Sequence, residues 1–212
     1  MDDINARSSP SLEKVVPLEQ AAVRRCQNGE IQGLETLYGL YSERVFRTCF
    51  RILGDQAAAE DQTHEVFLRL FEQIGRFDWR SRFSTWLYRL TVNHTLNRLR
   101  KRNRRLSKLK EFVIQDEVPA RQMPDRSVLR KEDEDRVQVL LSALSPDHRT
   151  ILVLREIEEL GYAEIAAVLG VAKGTVMSRL HRARRELKRH WLEGVEGNSS
   201  TGPDVQSKGQ GS

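Results

Sequence analysis

The side chains best placed to do chemistry lie on one face of a basic segment near the C-terminus, residues 173–191. This face gathers hydroxyl, imidazole and guanidinium groups at 100° per residue, and Glu186 is the only carboxylate between Lys173 and His190. Such groups bind polyanions, because they donate hydrogen bonds to phosphate oxygens and to base edges. The members of this face are Ser178, His181, Arg182, Arg185 and Arg189.

The opposite face of the same segment is apolar, which predicts a helix that docks on a protein body. Val176, Leu180 and Leu187 recur there at helical spacing. A shorter helix is predicted over 162–169, and Gly170 follows it where a left-handed residue is favoured. Two such helices joined by a tight turn predict a helix-turn-helix. The simpler alternative is a solvated basic face on an ordinary bundle helix.

In a helix-turn-helix the second helix enters the DNA major groove, and its N-terminal half reaches the bases. The predicted base readers are Thr175, Ser178, His181 and Arg182. The C-terminal half more often meets phosphates. The predicted phosphate contacts are Arg185, Lys188 and Arg189.

The charge of the whole chain is arranged in blocks. Its 212 residues are 31% charged and 39% hydrophobic with a net charge of +5, which is typical of a soluble protein of one or two small domains. A second basic block lies at 98–110, and acids concentrate at 132–135. Two separated basic blocks predict a polyanion that is contacted at two places.

The chain carries no pattern typical of catalysis. We find no phosphate-cradling glycine loop, no metal-ligand spacing and no nucleophile–base signature, so we expect no enzymatic activity, no cofactor and no metal. Cys26 and Cys49 lie in helical, partly apolar contexts and are predicted to be buried free thiols. No signal pattern and no apolar run long enough for a bilayer is present, so we expect a cytoplasmic protein without membrane insertion.

Helical periodicity predicts an all-α fold of two small helical domains joined by a linker, the second ending in the helix-turn-helix. The predicted organisation is a disordered tail (1–17), a first domain (18–105), a linker (106–127), a second domain (128–192) and a disordered tail (193–212). In the first domain we expect helices over 18–28, 31–53, 57–74 and from about 85, the last capped by Ser81 or Ser84.

Aromatic and basic residues alternate over 76–83, after the helix at 57–74. Stacking faces beside phosphate-seeking charges are typical of single-stranded nucleic-acid sites. Trp79, flanked by Asp78 and Arg80, is predicted to expose its ring, whereas Trp86 is expected to belong to the core.

The helix over 57–74 carries an acidic patch opposite its apolar stripe. Its members are Asp61, Glu65, Leu68 and Glu72. An exposed leucine among acids suits a basic partner helix. A solvated face with one stray leucine is the simpler alternative, because single exposed apolar residues are common.

Two segments together resemble the extracytoplasmic-function sigma factors, dissociable promoter-specificity subunits of bacterial RNA polymerase. Residues 59–102, AEDQTHEVFLRLFEQIGRFDWRSRFSTWLYRLTVNHTLNRLRKR, resemble the family's second conserved region. Residues 143–187, ALSPDHRTILVLREIEELGYAEIAAVLGVAKGTVMSRLHRARREL, resemble its fourth. With the helices that lead into them, the two segments cover about 18–191.

The resemblance implies promoter DNA and core RNA polymerase as partners, with an anti-sigma factor as a further candidate. Polymerase contacts are implied with a coiled coil of the largest subunit and with the flap of the second-largest subunit. The residues implied at the coiled coil are Asp61, Glu65, Phe67 and Leu68. Those implied at the −10 element, where a base is flipped out, are Arg76, Trp79, Arg80, Asn93, Asn97, Arg98 and Lys101. Those implied at the −35 element are Lys173, Thr175, Met177, Ser178, His181, Arg182, Arg185 and Arg189.

Three positions depart from the family pattern. His64 stands where glutamine is usual, Met177 where a basic residue is common, and Ala172 is a poor N-cap. The alternative function is a stand-alone helix-turn-helix regulator, whose first domain would sense a ligand or dimerise. A sensing domain has no need of the second aromatic and basic segment at 75–105, so the sequence favours the sigma factor.

Overall fold

The computed structural model describes residues 12–112 and 129–199, with side chains over 17–105 and 136–193. These residues form helices and no strand, which confirms the all-α prediction. In chain order the α-helices are α1 (Leu12–Gln27), α2 (Ile31–Leu53), α3 (Gln56–Gln73), α4 (Phe83–Phe112), α5 (Leu129–Ala143), α6 (Pro146–Leu152), α7 (Tyr162–Leu169) and α8 (Lys173–Ser199). A 3₁₀ turn, Ile74–Arg76, follows α3, and a π-helical turn, Val153–Ile157, follows α6.

Three helices extend beyond the predicted domain bounds. Helix α1 begins at Leu12, so it includes Pro17 and the end of the predicted tail 1–17. Helix α4 continues to Phe112, into the predicted linker 106–127, and α8 continues to Ser199, so disorder from 193 was wrong as far as 199. The Glu193 carboxylate pairs with Arg189 at 3.7 Å and lies 3.4 Å from Nδ1 of His190, contacts at helical spacing that support the continuation of α8 past 192. The remainder of those three predictions, at 1–11, 113–127 and 200–212, falls outside the described residues.

Helix α4 also begins earlier than predicted. Its first residue is Phe83, whose ring is buried, and the Trp86 N–H donates to the carbonyl of Arg82 at 3.2 Å. Neither Ser81 nor Ser84 is therefore the N-cap that the sequence predicts. Burial of the Phe83 ring fixes the first turn here instead of a capping hydroxyl.

Helices α1 to α4 form the N-terminal domain around one apolar core. The junction between α2 and α3 is tight because Gly54 adopts φ 69° and its N–H donates to the Phe50 carbonyl at 2.8 Å. Asp55 then caps α3 by accepting from the Ala58 N–H at 2.8 Å. Cys26 and Cys49 are buried and free in this domain, as predicted.

Helices α1 and α2 of the N-terminal domain cross closely at Gly33. A Cβ atom at Gly33 would lie 2.6 Å from the Ala22 carbonyl oxygen and 2.6 Å from the Cys26 nitrogen. Because both of those atoms belong to main chain, Gly33→Ala must push the helices apart. We expect a loss of about 1–3 kcal/mol of unfolding free energy by denaturant titration.

Gly39 provides the matched control for this prediction, because it lies on the same helix and a Cβ atom there would meet no other atom within 4 Å. Gly39→Ala should stabilise the protein by up to about 1 kcal/mol through helix propensity. Equal stability of Gly33→Ala and the native protein would show that the two helices separate at little cost.

Helices α5 to α8 form the C-terminal domain, and its core is continuous with part of the N-terminal domain. Tyr88, Val92 and Leu96 of α4 pack in one cluster with Leu154 and Ile165 of the C-terminal domain. Helix α7 packs on α4, and α5 and α6 pack on α2. The two domains therefore share an apolar interface in this structure.

Arg149 of α6 ties helix ends together beneath this interface. Its buried guanidinium donates to the carbonyls of Leu141 (2.7 Å), Ser142 (2.8 Å) and Leu144 (3.2 Å) at the end of α5. It also donates to the carbonyl of Ile52 (2.6 Å) at the end of α2. Carbonyls at helix C-termini lack hydrogen-bond donors within the helix and carry partial negative charge. A guanidinium supplies both the N–H donors and a positive charge.

Candidate nucleic-acid interface

Helices α7 and α8 form the predicted helix-turn-helix. Gly170 ends α7 with φ 65°, and its N–H donates to the Ala166 carbonyl. Ile165 and Val168 of α7 are buried against Val176 and Leu180 of α8. The apolar stripe of α8 thus docks as expected as far as Leu187, which is partly buried, whereas Trp191 beyond it is half exposed.

The outer face of α8 is open to solvent over residues 173–189. Thr175 is half-buried, and every other predicted contact residue of this helix is exposed: Lys173, Met177, Ser178, His181, Arg182, Arg185 and Arg189. The Ser178 hydroxyl donates to the Thr175 carbonyl (3.1 Å), and Arg182 Nε donates to the Ser178 carbonyl (3.3 Å). These bonds hold two predicted readers against the first turns of the helix, where a major-groove helix meets bases.

A groove of about 490 Å³ runs beside this face, and its lining residues are His148, Arg182, Arg185, Glu186 and Arg189. Glu186, the single carboxylate in the basic part of α8, lies with its Oε2 2.5 Å from Nδ1 of His148 on α6. The Glu186 carboxylate is thereby directed toward α6 and away from the exposed face of α8 that carries the arginines. Sequence reasoning missed this pairing, because the two residues are 38 positions apart.

The aromatic and basic loop before α4 is held in place by hydrogen bonds from a side chain at the end of α1. Gln27 Nε2 donates to the carbonyls of Ile74 (3.1 Å) and Phe77 (2.8 Å). Phe77 is buried, and its ring packs against Phe83 and Trp86 at centroid distances of 5.6 and 5.7 Å. Phe77, Phe83 and Trp86 are therefore core contacts, as predicted for Trp86.

Trp79 is the exposed ring of this loop, as predicted. It is 41% exposed and adopts φ 63°, a left-handed conformation that is uncommon for a bulky residue. The Arg24 guanidinium lies 5.8 Å from its ring centroid. Arg76 and Arg80 are exposed beside it, and Arg80 pairs with Asp78 at 3.1 Å. The loop thus presents an aromatic face among cations, which is the chemistry of base stacking.

Helix α4 continues the same basic surface. Asn93, Asn97 and Lys101 are exposed, whereas Arg98 is half-buried and pairs with Asp61 of α3 at 3.3 Å. This ion pair joins a predicted DNA contact to a predicted polymerase contact. Burial, followed by the charge of Arg69, lowers the pKa of His94 on the same helix, so this histidine is neutral at pH 7.

The acidic patch of α3 is partly as predicted. Leu68 is 60% exposed and Asp61 is exposed, but Glu65 pairs with Arg69 at 2.9 Å. Phe67 is only 3% exposed and its ring packs 4.7 Å from that of Tyr38. The Phe67 side chain therefore fills the core beneath the patch, and the polymerase contact implied for it stays a prediction.

Other kinds of site find no support in the described ranges. Among the side chains described over 17–105 and 136–193, no group of histidine, cysteine and carboxylate residues could hold a metal ion. Within the same ranges no helix has the length and apolar character needed to cross a membrane. Burial raises the pKa of the Cys26 and Cys49 thiols to about 11, so both stay protonated at neutral pH.

The fold and these exposed faces define a two-domain helical protein with a helix-turn-helix and a second basic, aromatic surface. Comparison with known families matches residues 37–105 to Sigma-70 region 2 and residues 134–187 to Sigma-70, region 4. The chain is 34% identical over 176 residues to the RNA polymerase sigma-H factor of Pseudomonas aeruginosa, covering 80% of this chain and 91% of that protein. It is 30% identical over 178 residues to the ECF RNA polymerase sigma-E factor of Escherichia coli K12, covering 80% and 92%.

Solved structures share the fold. The structure of CnrH in complex with the cytosolic domain of CnrY matches with a TM-score of 0.62 at 20% identity, covering 83% of this chain and 98% of that chain. The sigma factor RpoE in complex with the anti-sigma factor NepR from Bartonella quintana matches with a TM-score of 0.59 at 23% identity, covering 73% and 94%. The chain belongs to the extracytoplasmic-function sigma factors of RNA polymerase.

Proposed function

We propose that this sigma factor carries out initiation through three surfaces on one chain. The outer face of α8 reads the −35 element, the Trp79 loop with α4 binds the opened −10 element, and the patch of Asp61, Glu65 and Leu68 binds the largest subunit of core polymerase. The observation that supports this most is the exposure of both basic surfaces on separate domains. Opening the duplex costs a few kcal/mol per unstacked base, which stacking on an exposed ring offsets.

The remaining parts of this proposal rest on membership of the sigma-factor family. The protein acts in the cytoplasm, contributes no catalytic group of its own, and also contacts the flap of the second-largest subunit. An anti-sigma factor is a further partner, since the relative named RpoE was solved in complex with the anti-sigma factor NepR. Free protein should bind DNA weakly and with strong salt dependence, because phosphate contacts dominate such binding.

The deciding experiment measures binding of the labelled protein to sigma-free core RNA polymerase by fluorescence anisotropy at physiological salt. Replacing Asp61 with Ala and Leu68 with Ser together should weaken binding at least about tenfold. The fold should survive, because the Asp61–Arg98 pair is exposed and such pairs contribute about 0–1 kcal/mol.

The matched control removes one carboxylate and one exposed aliphatic side chain from other positions. Glu60→Ala with Val139→Ser does this, since both residues are exposed, on α3 and α5. Its affinity for the polymerase should equal that of the native protein. Equal affinities for the native protein and the Asp61/Leu68 variant would reject the patch as the interface, and absence of binding by the native protein would reject the function.

A further inference from the structure

A buried carboxylate joins the two domains. Glu158 follows the π-helical turn of the C-terminal domain, and its side chain is 1% exposed. Its carboxylate accepts hydrogen bonds only across the domain boundary in the contacts that the structure shows. The donors are Arg47 Nε and Nη2 (3.2 and 3.3 Å), Thr48 Oγ1 (3.2 Å) and Tyr88 Oη (2.5 Å). We call Glu158, Arg47, Thr48 and Tyr88 the Glu158 cluster.

The hydrogen bonds within the Glu158 cluster offset the loss of solvation that burial imposes on the carboxylate. Oε1 accepts from Arg47 and Thr48, and Oε2 accepts from Arg47 and Tyr88, so each oxygen has two donors. The hydrogen bond to Glu158 raises the pKa of the Arg47 guanidinium. Burial, followed by the charge of Glu158, raises the pKa of the Tyr88 hydroxyl. The cluster therefore surrounds a buried carboxylate with one guanidinium and two hydroxyl donors, and loss of any donor leaves that carboxylate under-paired.

The packed arrangement holds the two DNA surfaces close together. Helix α7 packs on both α4 and α8, and packed helices lie roughly 8–10 Å apart, so the axes of α4 and α8 are at most about 20 Å apart where they pack on α7. Promoter elements named for positions −10 and −35 are about 25 base pairs apart, or roughly 85 Å at 3.4 Å per pair. Both surfaces are exposed in the packed arrangement, but one molecule in this form cannot place them on both elements at once.

We propose that the Glu158 cluster is a latch that holds the two domains of the free protein together and that must open before both promoter elements are bound. This inference rests on the proposed function for the role of opening, whereas the latch itself concerns the free protein. Core polymerase binds the open form, so the closed form lowers the apparent affinity in proportion to its population. Breaking the hydrogen bonds of the Glu158 cluster exposes the shared apolar interface and allows the two domains to move apart.

The test uses energy transfer between two dyes on the full-length protein. Glu35→Cys on α2 and Ala167→Cys on α7 supply one exposed attachment site in each domain. The native thiols of Cys26 and Cys49 are buried and protonated, so they react little with the dyes. High transfer is expected for the free native protein, and lower transfer once core polymerase is added.

The decisive variant is Arg47→Met, which leaves the carboxylate of Glu158 buried without its cation. We expect the open fraction to rise at least about tenfold and the apparent affinity for core polymerase to tighten by a similar factor. The matched control is Arg184→Met, which breaks the exposed Arg184–Glu156 pair (2.6 Å) inside the C-terminal domain. This control should leave the transfer unchanged.

A rescue experiment separates the latch from general damage. Adding Glu158→Gln to Arg47→Met removes the under-paired charge while keeping an acceptor for Tyr88, so transfer should recover in part. If Arg47→Met loses its helical circular dichroism, Tyr88→Phe takes its place, because it removes one hydroxyl donor and keeps the ring. Its effect should be in the same direction and smaller.

Three results would overturn the proposal. These are low transfer in the free native protein, unchanged transfer in both Arg47→Met and Tyr88→Phe, and unchanged transfer when polymerase is bound. A failure of every variant to bind core polymerase would instead contradict the proposed function, while the transfer measured on the free protein would still decide whether the latch exists.

Discussion

Arg149→Met should lower the stability of the protein by roughly 3–5 kcal/mol, more than Gly33→Ala does. The substitution keeps much of the aliphatic volume but leaves carbonyls of α2 and α5 buried without their guanidinium donor. Thermal unfolding followed by circular dichroism should show a midpoint lower by about 10 °C, given 2–4 °C per kcal/mol for a chain of this size.

Two further variants define the cause of this loss. Arg149→Lys keeps the charge but not the planar fork, so its midpoint should fall between the native protein and Arg149→Met. Arg136→Met removes an exposed arginine from α5 and should change the midpoint little. A midpoint for Arg149→Met equal to that of the native protein would mean that water replaces the guanidinium at these helix ends.

Arg182→Ala should have the largest effect on promoter selection. Arg182 is exposed on the N-terminal half of α8 beside the basic groove, where its guanidinium can reach a base edge. If it reads guanine, its loss should cost about 1–3 kcal/mol at one base pair, a roughly fivefold to 150-fold change in affinity. The measurement is holoenzyme binding to promoter duplexes that differ by single base pairs in the −35 element.

Lys188→Ala provides the comparison for this prediction, since Lys188 is exposed farther along α8, where phosphates are expected. It should weaken binding to all duplexes alike. It should also reduce the slope of the logarithm of the binding constant against the logarithm of the salt concentration by about one. If Arg182→Ala also weakens every duplex to the same extent, Arg182 is a phosphate contact and another side chain reads the base.

Local signals explain why much of this structure could be predicted from the sequence. Gly170 marks the end of α7 because only a residue tolerant of positive φ fits there, and the apolar positions of α8 follow within four turns. Trp79 was predicted to be exposed because its neighbours Asp78 and Arg80 are charged. Each of these inferences uses residues that are close together in the chain.

The features that the sequence did not reveal concern which side of a helix a residue faces and which distant residues it contacts. Phe67 and Leu68 are adjacent, yet a helix turns 100° between them, so one is core and the other exposed. Arg149 looks like an ordinary surface residue in sequence, and its acceptor on Ile52 is 97 positions away. Glu158 finds its partners 70 to 111 positions away. No periodic pattern encodes such contacts.

The π-helical turn at Val153–Ile157 determines the direction in which the side chain of Glu158, the next residue, points. The Glu158 N–H donates to the Val153 carbonyl at 3.0 Å, five residues back, so this turn holds one residue more than an α-helical turn. One residue corresponds to about 100° of rotation in an α-helix. In a chain shorter by one residue here, Glu158 would be rotated by about 100°, and its carboxylate would point away from Arg47 and Tyr88. The length of this one turn therefore decides whether the two halves of the molecule recognise each other.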